Sequence, residues 1–480
     1  MFAPEINLVL VQGQLAWKPF SLRQLQVRRY TGQNLPSSTR ALVFVAGDLV
    51  QAPDRAKLVS WVRKNIRNAL DHGACCIVAA RDGQRNLAKQ TLAFNDETRP
   101  AYVTSKDAHV IAQQCLRWNP GPFPKSELNI LCSDALEPDT QLLLKRAFHD
   151  FDEIRLERLT GGRSAVSGIW RVDARSADKE LRSPFVAKCG ARESIDKQVN
   201  TYRDVVADRV PYRGCAPLCL ERSAAGFSKR LSVSRFVEDA DRLDELLINP
   251  DHQNVDALIG RIYSGPLRRW RSVVVRRTVS IAWQFMPKNV LKQYDRGVDA
   301  ARRKLRAANV SSKTLRSLLK QLTSIPLMNV PICRAHDDLN FRNVFVAKGG
   351  SEIILIDFTR AVEKPLSMDV ARMDVGFAFD DELNKLQPIA DDVLLEYFTG
   401  DLFAISLPHV VSGKAARARL AAIEALRRHI LAEADNHNYD PRVEYKVAII
   451  SGLIYEAKRR TKWSPLAYRC ADQLVSTLGE

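Results

Sequence analysis

The sequence predicts a doubly wound α/β layer at the front of the chain and, behind it, a mixed strand-and-helix region that finishes in helices. Three observations lead there. Short apolar runs recur through the first 150 residues, with an amphipathic helix between two of them. Residues 336–358, HDDLNFRNVFVAKGGSEIILIDF, place two apolar runs around Lys348-Gly349-Gly350-Ser351, which is turn material. Helical periodicity then covers Ala415 to Ala432 and Val443 to Arg460, and Ser464-Pro465 opens a last helix.

In chain order, the front layer offers strands at Asn7 to Val11, Ala41 to Ala46, Cys75 to Ala80 and Leu128 to Cys132. Asp54 to His72 is the amphipathic helix, stopped by Gly73. Strands alternating with helices imply a parallel sheet. Neither a Gly-x-Gly-x-x-Gly fingerprint nor a phosphate loop is present there, so no nucleotide is assigned to it. Asp48, at a strand end, is either a phosphoacceptor or, far more commonly at such a position, a loop cap. Pro120-Gly121-Pro122-Phe123-Pro124 is a stiff loop within this region.

Composition bounds the rest. A chain of 480 residues is too long for one ordinary core. Hydrophobic content of 46% and charged content of 26% describe a soluble globular protein, and no apolar run approaches the ~20 residues a membrane helix needs. The start, Met1-Phe2-Ala3-Pro4-Glu5, has no basic region or cleavage signature. Nine scattered cysteines without metal spacing read as reduced buried thiols, and a cytoplasmic location is expected.

The hairpin 336–358 brings chemistry with it. Two strands joined by a Gly-Gly turn put the residue before the first opposite the residue after the second, roughly 5 Å away. Asn343 and Asp357 should then lie side by side, with Asp338 on the loop leading in: oxygen ligands suited to a hard cation such as magnesium. The pattern His-x-Asp-x-x-x-x-Asn, a hairpin, then Ile-Asp-Phe resembles the catalytic segment of the aminoglycoside phosphotransferase and choline kinase branch of the protein-kinase-like superfamily. The resemblance implies ATP and Mg2+ as cofactors, Asp338 as the base for an acceptor hydroxyl, Asn343 and Asp357 as metal ligands, and His336 as a loop-ordering residue.

Other parts of that family's pattern follow in order. Thr160 to Val172 reads as a glycine-rich hairpin, in which Gly161 and Gly162 allow backbone N–H groups near phosphates and Ser164 and Ser167 add hydroxyls. Lys188 ends the apolar strand that starts at Pro184 and would pair with ATP phosphates. Ser234-Arg235-Phe236-Val237-Glu238 resembles the hinge, with Phe236 and Glu238 near adenine. Ser367-Met368-Asp369-Val370-Ala371-Arg372 resembles the family's Asp-x-Ala segment, where Asp369 would buttress the catalytic loop. The implied architecture is a doubly wound α/β domain over 1–150, regulatory or partner-binding, then a bilobal α+β kinase-like fold with an N-lobe over 151–238 and a helical C-lobe over 239–480. An α/β domain before such a module is also similar to kinase-like proteins of bacterial signalling and conflict systems.

One part departs. The helix expected over Glu193 to Asp208 has Ile195, Val199, Tyr202 and Val206 on its inward stripe, but Gln198 or Asn200 where the family places a glutamate against the lysine. Gln198 could still hydrogen-bond Lys188. Readings of a pseudokinase scaffold, or of a nucleic-acid-binding protein built on this fold, therefore stand beside the enzyme.

Charge indicates the acceptor. Net charge is +17, and between Pro266 and Lys320 fifteen Lys and Arg face only Asp295 and Asp299. A basic wall there implies an anionic acceptor, such as a phosphorylated metabolite, an acidic protein or nucleic acid, or else a solvated face that docks the front domain. Partners otherwise reduce to a protein bound by the N-terminal domain; no membrane is expected.

Overall fold

The computed structural model describes residues 8–12, 26–29, 39–45, 55–71, 74–80, 85–92, 101–104 and 108–117. It describes residues 122–479 as well, except 123, 160–165, 177, 179–182, 227–228, 249–253, 349, 351 and 405–412. Asp48, Gly161, Gly162 and Ser164 lie outside the described residues. The chain divides into two compact units, 1–200 with 217–236 and 201–216 with 237–480.

In the first unit, β1 (Leu8–Gln12), β2 (Gln26–Arg29), β3 (Thr39–Val45), β4 (Cys75–Ala80) and β5 (Ala101–Thr104) form a parallel sheet in the order β2-β1-β3-β4-β5. That order is the doubly wound arrangement the sequence predicts. Helices cover both faces. Leu42, Phe44, Cys76 and Val78 meet α1 (Arg55–Asp71) and α2 (Arg85–Leu92), while Ala41, Val43, Cys75 and Ile77 meet α3 (Ala108–Arg117). Every residue of β4 is buried, as a strand covered on both sides requires.

The predicted strand at 128–132 belongs elsewhere. β6 (Asn129–Cys132) pairs in parallel with β7 (Glu153–Arg158), joined through α4 (Pro138–Ala147), at the edge of a second sheet. Its burial alternates between exposed and intermediate, which suits an edge strand and not the covered middle of a parallel layer. From β7 the sheet continues antiparallel through β8 (Val166–Arg175), β9 (Phe185–Ala191), β11 (Lys229–Arg235) and the short β10 (Ala224–Ala225). Phe148, Phe151 and Phe185 form its aromatic core beneath α4. The two layers of this unit join at Arg146, wholly buried, whose guanidinium donates to the carbonyls of Pro122, Asp71 and Ala225. Burial pushes that guanidinium down to about 10. After β9, α5 (Arg192–Thr201) buries Ile195 and Val199 as its stripe predicts, and a wider π turn over Tyr202–Val206 extends it.

The second unit holds two small sheets among helices. β12 (Ala240–Arg242) pairs with the hairpin of β15 (Val344–Ala347) and β16 (Ile353–Leu355). β13 (Val275–Val279), β14 (Met328–Ala335) and β17 (Val362–Pro365) form the other. The principal helices are α6 (Val290–Ala307), α7 (Met368–Phe379), α8 (Lys414–Asn436), α9 (Arg442–Lys458) and α10 (Ser464–Ser476), the last with Pro465 in its first turn. All contribute to one apolar core with the hairpin residues Val344, Val346, Ile353 and Leu355. Among the described residues no helix is long and apolar enough to cross a membrane, and all nine cysteines are free thiols.

Candidate functional site

The site is built on the loop between β14 and β15, and one buried carboxylate shapes it. Asp369, at the start of α7 and 1% exposed, accepts from the backbone N–H of His336 at 2.8 Å and of Asp337 at 3.0 Å. Burial raises its carboxyl above the usual range, with His336, Arg271 and the two amides pulling the other way. Asp337 takes a left-handed backbone at φ 56° and pairs with Arg372 at 3.1 Å, one turn along α7 from Asp369. His336 is wholly buried, its Nε2 2.9 Å from the Ile356 carbonyl, so Nε2 carries the hydrogen. Its ring leans on Phe358 at 4.9 Å. Asp369 thus holds the two amides that precede Asp338, and His336 ties the loop to the residue after β16.

Asp338 follows with its side chain 37% exposed. Its backbone carbonyl accepts from Asn340 Nδ2 at 3.0 Å and from Asn343 Nδ2 at 2.9 Å, which ties the loop to the hairpin. Arg360 Nη1 lies 3.7 Å from Asp338 Oδ1. Burial raises this carboxyl too, opposed by Arg360, Arg372 and His336.

The hairpin register differs by one residue from the sequence expectation. Val344 faces Leu355, and Asn343 accepts from Ile356 N–H at 3.1 Å, so Asn343 stands opposite Ile356 and not Asp357. The 3-10 turn Phe341–Asn343 leads directly into β15, while Asp357 leaves the ladder in a left-handed conformation at φ 59° and ψ 60°. Non-glycine residues seldom adopt that region; when held there they commonly mark a functional position. Asp357 Oδ1 accepts from Thr359 Oγ1 at 2.6 Å. The carboxylate and the Asn343 amide both remain at the open end of the hairpin.

The donor set fits magnesium. It offers a carboxylate and an amide oxygen, and the Asn343 nitrogen is already committed to Asp338, so its oxygen is the atom left for a cation. No group of three or more His, Cys, Asp or Glu gathers as a metal cage among the described residues. A cation here would complete its shell with phosphate and water oxygens.

Of the remaining predicted residues, Ser167, Lys188 and Phe236 belong to the first unit and Glu238 to the second. Lys188 sits in β9, half-buried, between Ile169 of β8 and Ser232 of β11. Ser167 is the bulged residue of β8, where the register shifts between Val166 and Gly168. Gly168 is required by packing, since a Cβ there would come 2.1 Å from the Trp170 indole. The Gln198 hydrogen bond to Lys188 is not made: the amide oxygen that would accept it is buried without a partner among the described residues. Of the two acids of this helix, Glu193 and Asp196, the second pairs with Arg192 and Arg230. In the predicted hinge, Phe236 N–H is taken by the Pro184 carbonyl at 3.0 Å, and its ring lies under Arg171 at 4.9 Å. That amide is therefore not open to an adenine. Glu238 is exposed.

Sequence reasoning missed Arg360, Arg372 and Asn340. Arg360 and Arg372 each stand three residues after a predicted site acid, a spacing that could have marked them. Asn340, inside the quoted motif, caps the 3-10 turn by accepting from Arg342 N–H at 3.0 Å.

No protein-family model matches the chain, and no curated protein sequence does. Among solved structures it is similar to an aminoglycoside-3'-phosphotransferase of type VIII, at 18% identity and TM-score 0.27, over 56% of this chain and 93% of that one. A Plasmodium vivax ethanolamine kinase matches at 13% identity and TM-score 0.28, over 67% and 82%. A spectinomycin phosphotransferase in complex with ADP and spectinomycin matches at 12% identity and TM-score 0.28, over 68% and 93%. At such low similarity, a functional reading has to rest on this chain's own residues.

Proposed function

We propose that this chain is an ATP- and magnesium-dependent phosphotransferase acting on a hydroxyl of an anionic acceptor. The observation that carries the reading is the Asp369 clasp: one buried carboxylate orders the two amides before Asp338, and Asn343 ties the same loop to a hairpin that ends on Asp357. A decorative acidic hairpin has no use for a buried acid spent on aiming a half-exposed one.

Asp338 would accept the proton of the attacking hydroxyl, its basicity raised by burial and its aim set by the loop. Asn343 and Asp357 would hold the metal, and Lys188 with Gly161, Gly162, Ser164 and Ser167 would hold nucleotide phosphates. When bound, magnesium ATP supplies the phosphoryl group and neutralises charge as it transfers. The rival reading is a scaffold that binds nucleotide without turnover: Gln198 stands where the family places a glutamate, and its amide oxygen has no partner among the described residues. Phosphate transfer from labelled ATP, by wild type and by Asp338→Ala, separates the two. The enzyme reading expects transfer that the variant loses; no transfer to any acceptor by wild type, itself included, sinks it.

A further inference from the structure

The sheet that leads into the candidate site ends on an open strand. β13 is the outer strand of β13-β14-β17, and β14 runs directly into His336 and the loop that carries Asp338. Its register sets Val275 against Ile332, Arg276 against Pro331, Arg277 against Val330 and Thr278 against Asn329. In an antiparallel ladder, residues whose backbone groups face the partner alternate with residues whose groups face away. Pro331 has no N–H to give, and its carbonyl accepts from Leu366 N–H at 3.1 Å, on the β17 side. β14 therefore meets β13 through Val330 and Ile332, which bond to Arg277 and Val275. The N–H and C=O groups of Arg276 and Thr278 face outward.

The surface at that edge is apolar and cationic. Every residue from Val275 to Thr278 is exposed, and Val273 just before the strand is 70% exposed. Natural edges are commonly blunted by charged side chains, proline or a covering loop. Arg277 does not guard this one: it reaches across β14 to Glu363 of β17 at 2.8 Å, away from the open side. Arg276 donates to the carbonyls of His437 and Asn438 at 2.6 and 2.8 Å, so its charge is held without an acid. Arg268 and Arg269, on the short helix Arg268–Ser272 ahead of the strand, are exposed and form no ion pair among the described residues. No Asp or Glu occurs from Pro266 to Tyr294. A second copy of β13 on this edge would bring arginines against arginines, which like-charge repulsion opposes. An acidic strand meets no such penalty.

We propose that β13 docks a partner protein by strand addition, the added strand being a short extended segment that alternates acids with β-branched residues. Residues directly opposite Arg276 and Thr278 would exchange N–H and C=O bonds with them and share their face, so the acids belong there. The residues between would put their apolar side chains on the face of Val275. Peptide backbone is the match for open amides flanked by valines, whereas nucleic acid would use the cations alone. Docking here is independent of phosphotransfer. Its consequence for the candidate site is positional: a fourth strand on β13 holds its owner to the sheet whose middle strand leads to Asp338.

Fluorescence anisotropy of the full chain with a short labelled peptide that alternates glutamate and valine tests the edge. Wild type should bind it and should not bind the counterpart with lysine in place of glutamate. Thr278→Pro should weaken binding about tenfold or more, since it removes an outward N–H and leaves the β14 ladder its bonds. Thr278→Ala should bind as wild type does, because the backbone makes the bond. A second arm uses wild type alone, and so holds even if proline disturbs the sheet. Methylating the glutamate amides of the peptide should abolish binding, and methylating the valine amides should spare it, because only the former face β13. Failure of wild type to bind the glutamate peptide overturns the proposal, as do equal binding by a folded Thr278→Pro, equal binding of the lysine peptide, and equal loss on either methylation. A wild-type dimer that Thr278→Pro dissolves would give the edge to a second copy and overturn it too. None of these outcomes bears on phosphate transfer, which stands or falls by its own assay.

Discussion

Residues 336–358 and 268–320 both look crowded with charge in the sequence, yet the fold treats them differently. In the first stretch the acids around the loop are held in place: Asp369 of α7 grips the amides of His336 and Asp337, Asp337 meets Arg372, and Asp357 itself leaves the ladder in a left-handed conformation. In the second the cations scatter. Arg271 is buried with Glu433 and the Leu366 carbonyl, and Arg302 is buried with Asp299 and the Ser312 carbonyl. Arg276 binds the carbonyls of His437 and Asn438, and Arg277 pairs with Glu363. Most of the others are exposed, the α6 stripe of Lys292, Arg296 and Arg303 among them. A charge that belongs to a motif is positioned by the motif's backbone; a charge counted by composition can go anywhere.

The sharpest way to break this contrast is Asp357→Asn. Asparagine tolerates the left-handed backbone, so the fold should hold, while the carboxylate that would offset a cation is gone. Turnover should fall about a thousandfold or more, the several kcal/mol lost when a phosphoryl-transfer metal is misplaced. Melting temperature should stay close to wild type. Wild-type turnover in the variant would remove Asp357 from the metal site.

A charge of the second stretch should instead act on stability. Burial alone would raise the Glu433 carboxyl, but Arg271, bonded through Nε at 2.7 Å, and His429 hold it at about 2. An acid depressed in the fold stabilises above its ordinary value of 4.5 and loses that contribution as pH falls toward about 2. Glu433→Gln leaves the Arg271 guanidinium buried without its counter-charge and should cost about 3–5 kcal/mol at neutral pH. Urea midpoints of wild type and variant should converge as pH drops from about 4.5 to about 2. A gap that stays constant over that window would show that the pair's charge contributes little.

Asp369→Ala tests the loop from its hidden side. It leaves the His336 and Asp337 N–H groups buried without an acceptor, at about 2–4 kcal/mol in a urea titration. Activity should drop with it, since the loop that aims Asp338 loosens. Asp338→Ala should do the opposite, sparing stability and losing turnover about a hundredfold or more. If both variants lost only stability, the loop would be structural.

What the sequence made legible follows the same division. The hairpin, Asp369, the doubly wound layer and the C-terminal helices all rest on short-range patterns, either apolar periodicity or motif spacing, and these appear close to where they are predicted. The one-residue shift between Asn343 and Asp357 was not legible, because register depends on how Asp357 leaves the ladder. Nor was the sheet that β6 joins, since an apolar run of this length does not name its neighbour. Lys458 and Tyr294 meet only because Gly297 lets two helices touch, and no local pattern links positions so far apart in the chain. Arg302 shows the same limit. On α6 it stands one residue from exposed Arg303, yet is 7% exposed itself, and only packing tells the two apart.

The smallest expected effect comes from the exposed stripe on α6, one of the parts of the basic segment that face solvent. Lys292, Arg296 and Arg303 lie along one face of α6, interrupted by Asp295 and Asp299. Reversing all three to Glu should change stability by about 1 kcal/mol at most, because exposed charges away from special features carry little. Arg302 must be left alone, since a buried acid there would unfold the helix for reasons unrelated to acceptors. If the stripe steers an anionic acceptor, the triple variant should raise the acceptor's KM a few-fold at low salt and keep ATP affinity. The difference should fade above about 0.1 M salt, where screening acts within roughly 10 Å. A KM that does not move at low salt would make the stripe a solvated face.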